Sequence, residues 1–220
     1  GYQEKLESLR EDVLYMSEMV LDRLQQSLDA LEHKDEDMAW TVIEGDHEVN
    51  QLYLDLEQDC IDLLALQQPV AGDLRFIAAT FKIITDLERV GDLAVNLGDY
   101  TLEAEQESFP EVDINAIGME TVSMIEDAMD AYADQDPERC YEIADRDDEV
   151  DRRCEAASEL VMRDLIERED VDDEETTEQL MQDVYRLLLT IRDLERVGDH
   201  GVNIAARTLY MVENDDDLLY

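Results

Sequence analysis

The sequence predicts an all-α fold in which six helices form two pseudo-symmetric three-helix bundles. Apolar residues recur at three- and four-residue spacing through most of the chain, which is the period of an amphipathic helix. Breaks in this pattern divide the chain into six segments. In addition, the heptapeptide from Asp86 to Asp92 returns unchanged from Asp193 to Asp199, an offset of 107 residues. No Pro interrupts either copy, so we place both copies within helices.

The first half of the chain contains three predicted helices. The first spans residues 3–33 and ends at His33-Lys34-Asp35. The second spans residues 35–67, with Asp35 as its N-cap, and ends before the segment that contains Pro69 and Gly72. The third begins near Asp73, carries the first heptapeptide and fades after Leu102. Residues predicted to face the core on the second helix are Ala39, Val42, Ile43, Val49, Tyr53, Leu56, Cys60, Leu63 and Leu64.

The second half repeats this organisation. A fourth helix is predicted at about 112–134, and Asp136-Pro137 opens a fifth, since Asp suits the N-cap and Pro the first helical position. The charged run 167–175 is predicted to be a solvated loop. The sixth helix, at about 175–213, carries the second heptapeptide, and the acidic residues 214–217 are expected to be a frayed tail.

We therefore predict one repeat at residues 1–106, a linker at 107–113 that contains Pro110, and a second repeat at 114–220. The stretch Asp46–Asn50 aligns with Asp147–Asp151 at an offset of 101, and the offset then rises to 107. Six residues are thus inserted between the fifth and sixth helices. Similarity between the halves is concentrated in two short stretches of each half, which indicates that those stretches have a function.

Composition and charge exclude several classes of protein. The net charge is −43, and only three of the 17 basic residues are lysine, which favours a surface adapted to a high-salt cytoplasm, where such repulsion is screened. Nucleic acid is not an expected partner, because phosphate contacts require basic patches. No membrane insertion and no signal peptide are expected. Cys60, Cys140 and Cys154 lack zinc-binding spacing and are expected to be free thiols of a reducing cytosol.

Carboxylates in the two repeated stretches of each half predict a metal site in each half. On a helix, residues four apart share a face, and antiparallel packing of neighbouring helices would bring two such pairs together. Oxygen ligands of this kind suit hard cations such as Mg, Mn, Ca or iron. The alternative is an ordinary acidic surface, but the exact duplication favours a site. The candidate ligands are Asp46, Asn50, Glu88 and Asp92 in the first half and Asp147, Asp151, Glu195 and Asp199 in the second.

Four further residues accompany these carboxylates. Gly91 and Gly198 lie inside predicted helices, where Gly costs ~1 kcal/mol relative to Ala. They either leave room beside the carboxylates or allow close packing of helices, and both interpretations stay open. Arg89 and Arg196 are expected to form ion pairs on a neighbouring face, with contact to an oxyanion as the alternative.

The remaining conspicuous residues are expected to have structural roles. His47 and His200 each follow a candidate ligand directly and point about 100° away from it, so neither is predicted to bind metal. Trp40 and the nine methionines are expected to fill the core. The chain has no Gly-rich phosphate loop and no catalytic motif of a hydrolase, although a metal-dependent hydrolase remains open because bound metals can activate water.

These motifs together resemble the PhoU family of phosphate-uptake regulators over nearly the whole chain. Each half has an Asp-x-x-Val-Asn/Asp stretch and a Leu-Glu-Arg-Val-Gly-Asp stretch, and Pro69 followed by Asp73-Leu74-Arg75 fits a further family feature. The resemblance implies two pseudo-symmetric three-helix bundles and metal clusters on the eight residues named above. Asn50 departs from the expected Asp, so the first site is expected to bind metal more weakly.

The resemblance also implies a function. It indicates a cytoplasmic, non-enzymatic negative regulator of phosphate uptake and phosphate signalling, carrying divalent or trivalent ions of Fe, Mn, Mg, Zn or Ca. Expected partners are the ATPase subunit of a phosphate ABC transporter, or a sensor histidine kinase, and a second copy in a homodimer. Arg75, Arg89 and Arg196 are candidate contacts for a partner or an anion. The alternative is a metal-dependent phosphohydrolase or a metal-storage protein that uses the same carboxylates.

Overall fold

The computed structural model describes residues 1–66, 69–104, 112–168 and 173–219, and the side chain of Leu66 is not among the described atoms. Six α-helices occupy these ranges and no strand is found within them. The all-α prediction with two similar three-helix halves is confirmed. The helices are α1 (Tyr2–His33), α2 (Glu36–Leu66), α3 (Ala71–Glu103), α4 (Ile114–Asp134), α5 (Pro137–Glu167) and α6 (Glu174–Glu213).

Equivalent signals begin and end the helices of the two halves. Lys34 and Gln135, 101 residues apart, close α1 and α4 in the left-handed conformation, with φ of 52° and 54°. The next residue in each half caps the following helix. Oδ1 of Asp35 accepts the Met38 amide at 3.1 Å, and Oδ1 of Asp136 accepts the Glu138 amide at 3.1 Å. The predicted N-caps of α2 and α5 are therefore confirmed.

The two halves pack on each other as well as internally. Within each half, α2 lies against α3 and α5 against α6, while α3–α6 and α1–α4 contacts join the halves. The buried apolar residues form one continuous cluster. Tyr132 of α4 is buried, lies 2.7 Å from the Thr80 hydroxyl of α3 and stacks on Phe76 at 6.0 Å. The third helix of each repeat thus serves two interfaces, one with its own repeat and one with the other.

Several core predictions hold and others are wrong. Met16, Met124 and Met129 are buried, but Trp40 is 51% exposed and Met181 is 54% exposed. The aromatic and methionine content of a chain does not reveal which helix face a residue occupies, and these two lie on outer faces. Leu64, predicted to be buried, is 39% exposed, because it lies beside the inner position that Leu63 fills. The three cysteines are free, as predicted, and all three are buried.

Two further predictions concern segments outside the helices, the linker between the repeats and the acidic tail. The proposed linker at 107–113 falls mostly on residues 105–111, which lie outside the described residues, so the repeat boundaries of 1–106 and 114–220 stay predictions. The acidic tail, predicted to be frayed, instead folds back. The Tyr141 hydroxyl donates to Asp215 at 2.9 Å, and Leu218 packs against the core. No helix in the described part combines the length and apolar character that a bilayer crossing needs.

Candidate metal centres

The second carboxylate cluster (Asp147, Asp151, Glu195 and Asp199) lies where α5 packs on α6. One carboxylate oxygen from each of Asp147, Asp151 and Asp199 lies within 4.8 Å of the other two. Glu195 lies close enough to Asp151 for the charge of Asp151 to raise its pKa. Three of the four predicted ligands of the second half therefore converge, and Glu195 lies at the edge of this group beside Asp151.

Burial and mutual repulsion together raise the pKa values of the carboxylates in this cluster. Burial, followed by the charges of Asp199 and Asp151, raises the pKa of Asp147 to about 7. Burial and the charge of Asp199 raise the pKa of Asp151, and burial and the charge of Asp151 raise the pKa of Glu195. Oδ1 of Asp147 and Oδ1 of Asp151 are shielded from solvent and accept no hydrogen bond from the described residues. Such oxygens need a cation or a proton to offset the cost of their burial.

The first carboxylate cluster (Asp46, Asn50, Glu88 and Asp92) occupies the equivalent position between α2 and α3. Asn50 donates from Nδ2 to Oδ2 of Asp46 at 3.3 Å, so the amide satisfies part of the carboxylate. Burial, then a hydrogen bond and repulsion from Asp92, raises the pKa of Glu88 to about 7. Burial and the charge of Asp92 also raise the pKa of Asp46. The four predicted ligands of the first half are thus neighbours, with one negative charge fewer than in the second half.

The two glycines of the heptapeptides stand beside these clusters. A Cβ on Gly198 would lie 2.7 Å from Oδ1 of Asp147, which is closer than real Cβ atoms approach. A Cβ on Gly91 would lie 3.2 Å from Cγ1 of Val49 and 3.8 Å from Oδ1 of Asp46. Gly198 therefore makes room for a ligand carboxylate, whereas Gly91 chiefly permits close packing of α2 on α3. Each of the two interpretations offered by the sequence holds in one repeat.

The three arginines named as candidate contacts lie apart from the carboxylate oxygens. Arg89 and Arg196 are exposed, and neither forms an ion pair among the described residues, so the expected salt bridges are wrong. Arg89 lines a cavity together with Asp86 and Arg207. Arg75 is partly buried and lines a cavity of about 380 Å³ together with Arg10. His47 contacts the Glu44 carbonyl oxygen at 2.7 Å.

Sequence reasoning missed a second use of the heptapeptides. Their first residues, Asp86 and Asp193, are buried and face the opposite repeat. Oδ1 of Asp86 lies 2.8 Å from Nδ1 of His200 and accepts from Asn203 at 3.2 Å. The available signal was the recurrence of this Asp and of the Asn ten residues later at the same offset of 107. The heptapeptide therefore joins the repeats through its first residue.

The opposite side of this interface has a different set of partners. Oδ2 of Asp193 accepts from the Tyr100 hydroxyl at 2.8 Å and from Asn96 at 3.4 Å. Asn96 and Asn203 are equivalent in the two repeats, while Tyr100 and His200 are not. Each of the two buried carboxylates thus has an asparagine donor that is the same in both repeats. The second partner, Tyr100 or His200, differs between the repeats.

Comparison with known proteins agrees with this architecture. The model of the PhoU domain family matches residues 13–101 and 114–208. The chain belongs to the PhoU family. Both matched regions contain one carboxylate cluster and one heptapeptide, so the duplicated features described above recur once in each PhoU domain.

Individual relatives cover nearly the whole chain. A phosphate-specific transport system accessory protein PhoU homolog from Clostridium acetobutylicum is 33% identical over 214 residues, covering 96% of this chain and 94% of the relative. The crystal structure of PhoU from Pseudomonas aeruginosa matches with a TM-score of 0.89 at 29% identity, covering 98% of this chain and 100% of that chain. The phosphate transport system regulatory protein PhoU from Streptococcus pneumoniae matches with a TM-score of 0.84 at 27% identity, covering 98% of both chains.

Proposed function

We propose that this chain is a negative regulator of phosphate uptake and phosphate signalling that acts through metal-bearing carboxylate clusters and by docking on a transport protein. The accessory and regulatory roles named for its relatives support the first part. The observation that carries the metal-dependent part is the convergence of Asp147, Asp151 and Asp199 within 4.8 Å. Regulation of this kind requires no catalytic turnover.

The second carboxylate cluster suits a hard cation. It offers oxygen donors alone, which favours Mg, Mn, Ca or iron over Zn, since Zn in proteins is usually held by Cys and His. Two solvent-shielded oxygens that accept no hydrogen bond from the described residues fit a bound ion, and Gly198 leaves room for the Asp147 carboxylate that carries one of them. When bound, the ion would offset part of the negative charge of the cluster and link α5 to α6. The first carboxylate cluster would link α2 to α3 in the same way.

The docking partner that we propose is the ATPase subunit of the phosphate ABC transporter, in the cytoplasm. A sensor histidine kinase is the second candidate. We propose that the chain docks as a homodimer. Large apolar side chains on outer helix faces support a protein partner. Trp40 and Leu54 of α2 are 51% and 54% exposed, and Tyr185 of α6 is 64% exposed. Aromatic residues are enriched at protein interfaces.

A strain that lacks this chain tests the regulatory proposal. Phosphate uptake from phosphate-rich medium should rise in that strain and return to its original rate when the wild-type chain is restored. Restoring Glu195→Gln with Asp199→Asn should leave uptake high, whereas the matched exposed substitution Arg152→Gln should behave as wild type. Unchanged uptake in the deletion strain would contradict a negative regulatory role.

Direct binding tests the docking proposal separately. The purified ATPase subunit should co-elute with the metal-loaded chain, and less of it should co-elute with the Trp40→Ser and Leu54→Ser double variant. Retention of the sensor kinase alone would identify the other partner and refute the transporter assignment. Sedimentation of the free chain measures whether it is a dimer.

An assay for hydrolysis tests the competing enzymatic interpretation. The chain loaded with Mn²⁺ or Mg²⁺ should not turn over an aryl phosphate above the rate of the Glu195→Gln and Asp199→Asn double variant. Turnover that this double variant abolishes would replace the regulator with a metal-dependent phosphohydrolase. Storage of metal would instead require many ions per chain, against the one small cluster per repeat proposed here.

We also infer that the protein works at high salt. Its net charge is −43, so its acidic side chains repel one another at low ionic strength. At molar salt the Debye length falls to ~3 Å, and this repulsion is screened. The urea midpoint should therefore be higher in molar KCl than in dilute buffer. Equal midpoints in the two solutions would remove the halophilic interpretation.

A further inference from the structure

A cleft between α3 and α6 collects positive charge in this strongly acidic chain. The α3–α6 cleft is a cavity of about 270 Å³ whose charged lining residues are Lys82, Asp86, Arg89 and Arg207. Three cations and one carboxylate leave a formal charge of +2 at this place, in a chain whose net charge is −43. A local reversal of sign concentrates anions near the surface.

The cations of the cleft have no acidic partners of their own. Among the described residues, Lys82, Arg89 and Arg207 form no ion pair within 4.0 Å. Elsewhere in the chain, in contrast, Arg146 contacts Glu120 at 2.9 Å and also pairs with Asp127. The guanidinium groups of the cleft are therefore available for a ligand, and a guanidinium suits the paired oxygens of an oxyanion.

Helix geometry brings these side chains together. Lys82, Asp86 and Arg89 follow one another at four- and three-residue steps along one stripe of α3, and Asn203 and Arg207 are four apart on α6. The small side chain of Ala206 lies between the stripes. The cleft therefore results from the packing of two long helices, with Leu218 and Leu219 of the tail completing its lining, and Asp86 joins the two helices through His200 and Asn203.

The pseudo-symmetric side of the same interface lacks this charge. At the offset of 107, Lys82 corresponds to Leu189 and Arg89 to Arg196, while Arg207 corresponds to Tyr100. Tyr100 donates to Asp193 and so takes no part in anion binding. The duplicated framework thus carries three cations on one side and one on the other, which indicates that the charge is not a requirement of the fold.

We propose that the α3–α6 cleft binds a small tetrahedral oxyanion, with monohydrogen phosphate preferred to sulfate. Its volume is just below the ~300–1,000 Å³ typical of pockets for drug-sized ligands, which favours an inorganic ion over a nucleotide. Oδ1 of Asp86 accepts from His200 and Asn203, and Oδ2 remains for the ligand. An ionised carboxylate can only accept a hydrogen bond, so it favours an oxyanion that still carries a proton and repels one that does not.

This inference goes beyond the proposed function and does not rest on it, because the site shares no ligand with either carboxylate cluster. Equilibrium dialysis of radiolabelled phosphate against the full-length chain treated with chelator tests it without metal or a transport partner. Wild type should bind one phosphate per chain. The Lys82→Gln, Arg89→Gln and Arg207→Gln triple variant should bind at least tenfold more weakly.

A matched triple variant provides the control. Lys5→Gln, Arg163→Gln and Arg192→Gln removes the same charge from exposed positions outside the cleft, and it should bind phosphate like wild type. Circular dichroism of both triple variants should match wild type, since all six side chains lie at the surface or in the cleft. Equal loss of binding in the two triple variants would show that overall charge, and not the cleft, governs binding.

Competition by sulfate tests the role of Asp86. Sulfate should displace phosphate at least tenfold less effectively than unlabelled phosphate does, and Asp86→Asn should narrow that difference. Equal competition by the two anions in wild type would overturn the preference for phosphate. Absence of phosphate binding in the wild-type chain, or binding that appears only after metal is added, would overturn the site.

Discussion

The first and second carboxylate clusters occupy equivalent helices but differ at one ligand position. In the second carboxylate cluster, oxygens of three acids lie within 4.8 Å of one another, and two of them accept no hydrogen bond from the described residues. In the first, Asn50 donates to Asp46 at 3.3 Å and supplies an amide where the second has Asp151. The two repeats thus share the same framework, while the charge of their two carboxylate clusters differs. We expect the second to bind a cation more tightly.

Exchanging the differing residue should have the largest effect. Asn50→Asp should raise the metal affinity of the first carboxylate cluster by about a hundredfold, or about 2.7 kcal/mol, because the added carboxylate attracts a multivalent ion at contact distance. Asp151→Asn should lower the affinity of the second by a similar factor. Calorimetric titration of Mn²⁺ into each variant measures both changes. If the second cluster still bound more tightly with both substitutions present, the charge count would not explain the difference.

Substitution of the heptapeptide glycines should have a smaller and unequal effect. Gly198→Ala places a Cβ 2.7 Å from Oδ1 of Asp147, so the carboxylate must move and metal affinity should fall about tenfold, or about 1.4 kcal/mol. Gly91→Ala meets Val49 at 3.2 Å and Asp46 only at 3.8 Å. It should change affinity by less than about threefold, or ~0.7 kcal/mol. Equal losses in the two alanine variants, measured by the same titration, would contradict this account.

Loss of a hydrogen bond between the repeats should have the next largest effect. Tyr100→Phe removes the 2.8 Å hydrogen bond to the buried Asp193 and should lower the free energy of unfolding by about 1 kcal/mol. His200→Gln keeps a donor opposite Asp86 and should cost less. Urea unfolding in molar KCl measures both, with Tyr15→Phe, which alters an exposed tyrosine, as the control. A Tyr100→Phe variant as stable as wild type would show that Asp193 does not depend on this bond.

The smallest expected effect concerns pH. The pKa of Glu88 and that of Asp147 are raised to about 7 in the folded chain without metal, from ~4 in an unfolded chain. Between these values the folded chain binds more protons than the unfolded chain, so its free energy of unfolding falls as pH rises from ~4 to ~7. Metal must displace the same protons, so metal affinity should rise a few-fold from pH 6 to pH 7.5. Both groups are partly exposed, and solvent screening limits the size of these effects.

Variants that cannot ionise isolate this contribution. Glu88→Gln with Asp147→Asn should flatten the dependence of unfolding free energy on pH over the same window, when both chains are metal-free and in the same salt. If wild type and the double variant showed parallel pH profiles, the raised pKa values would not influence stability.

Much of the fold could be predicted from the sequence because helix periodicity and capping are local signals. Asp35 and Asp136 identified helix starts that the structure confirms within one residue. The exposure of Trp40 could not be predicted, because residue type does not define which neighbour covers a helix face. The folded tail was missed for a related reason, since the bond from Tyr141 to Asp215 joins residues 74 positions apart.

The candidate site was predictable in part. Exact recurrence of Glu88 and Asp92 as Glu195 and Asp199 pointed to the carboxylates, and helical spacing placed each pair on one face. The same recurrence could not assign Asp86 to the inter-repeat interface. A helix has several neighbours, and the heptapeptide alone does not define which face of the helix packs on which neighbour. Similarly, the sequence did not reveal that Lys82 and Arg207, 125 positions apart, line one cleft.

Metal content of two matched double variants tests the central claim most directly. Each chain is expressed with the same metal supply, purified in molar KCl and subjected to elemental analysis. Glu195→Gln with Asp199→Asn should lower bound metal more than Glu88→Gln with Asp92→Asn does, while helix content stays the same. Equal metal content in wild type and both variants would contradict the account, and would return these four side chains to the acidic surface.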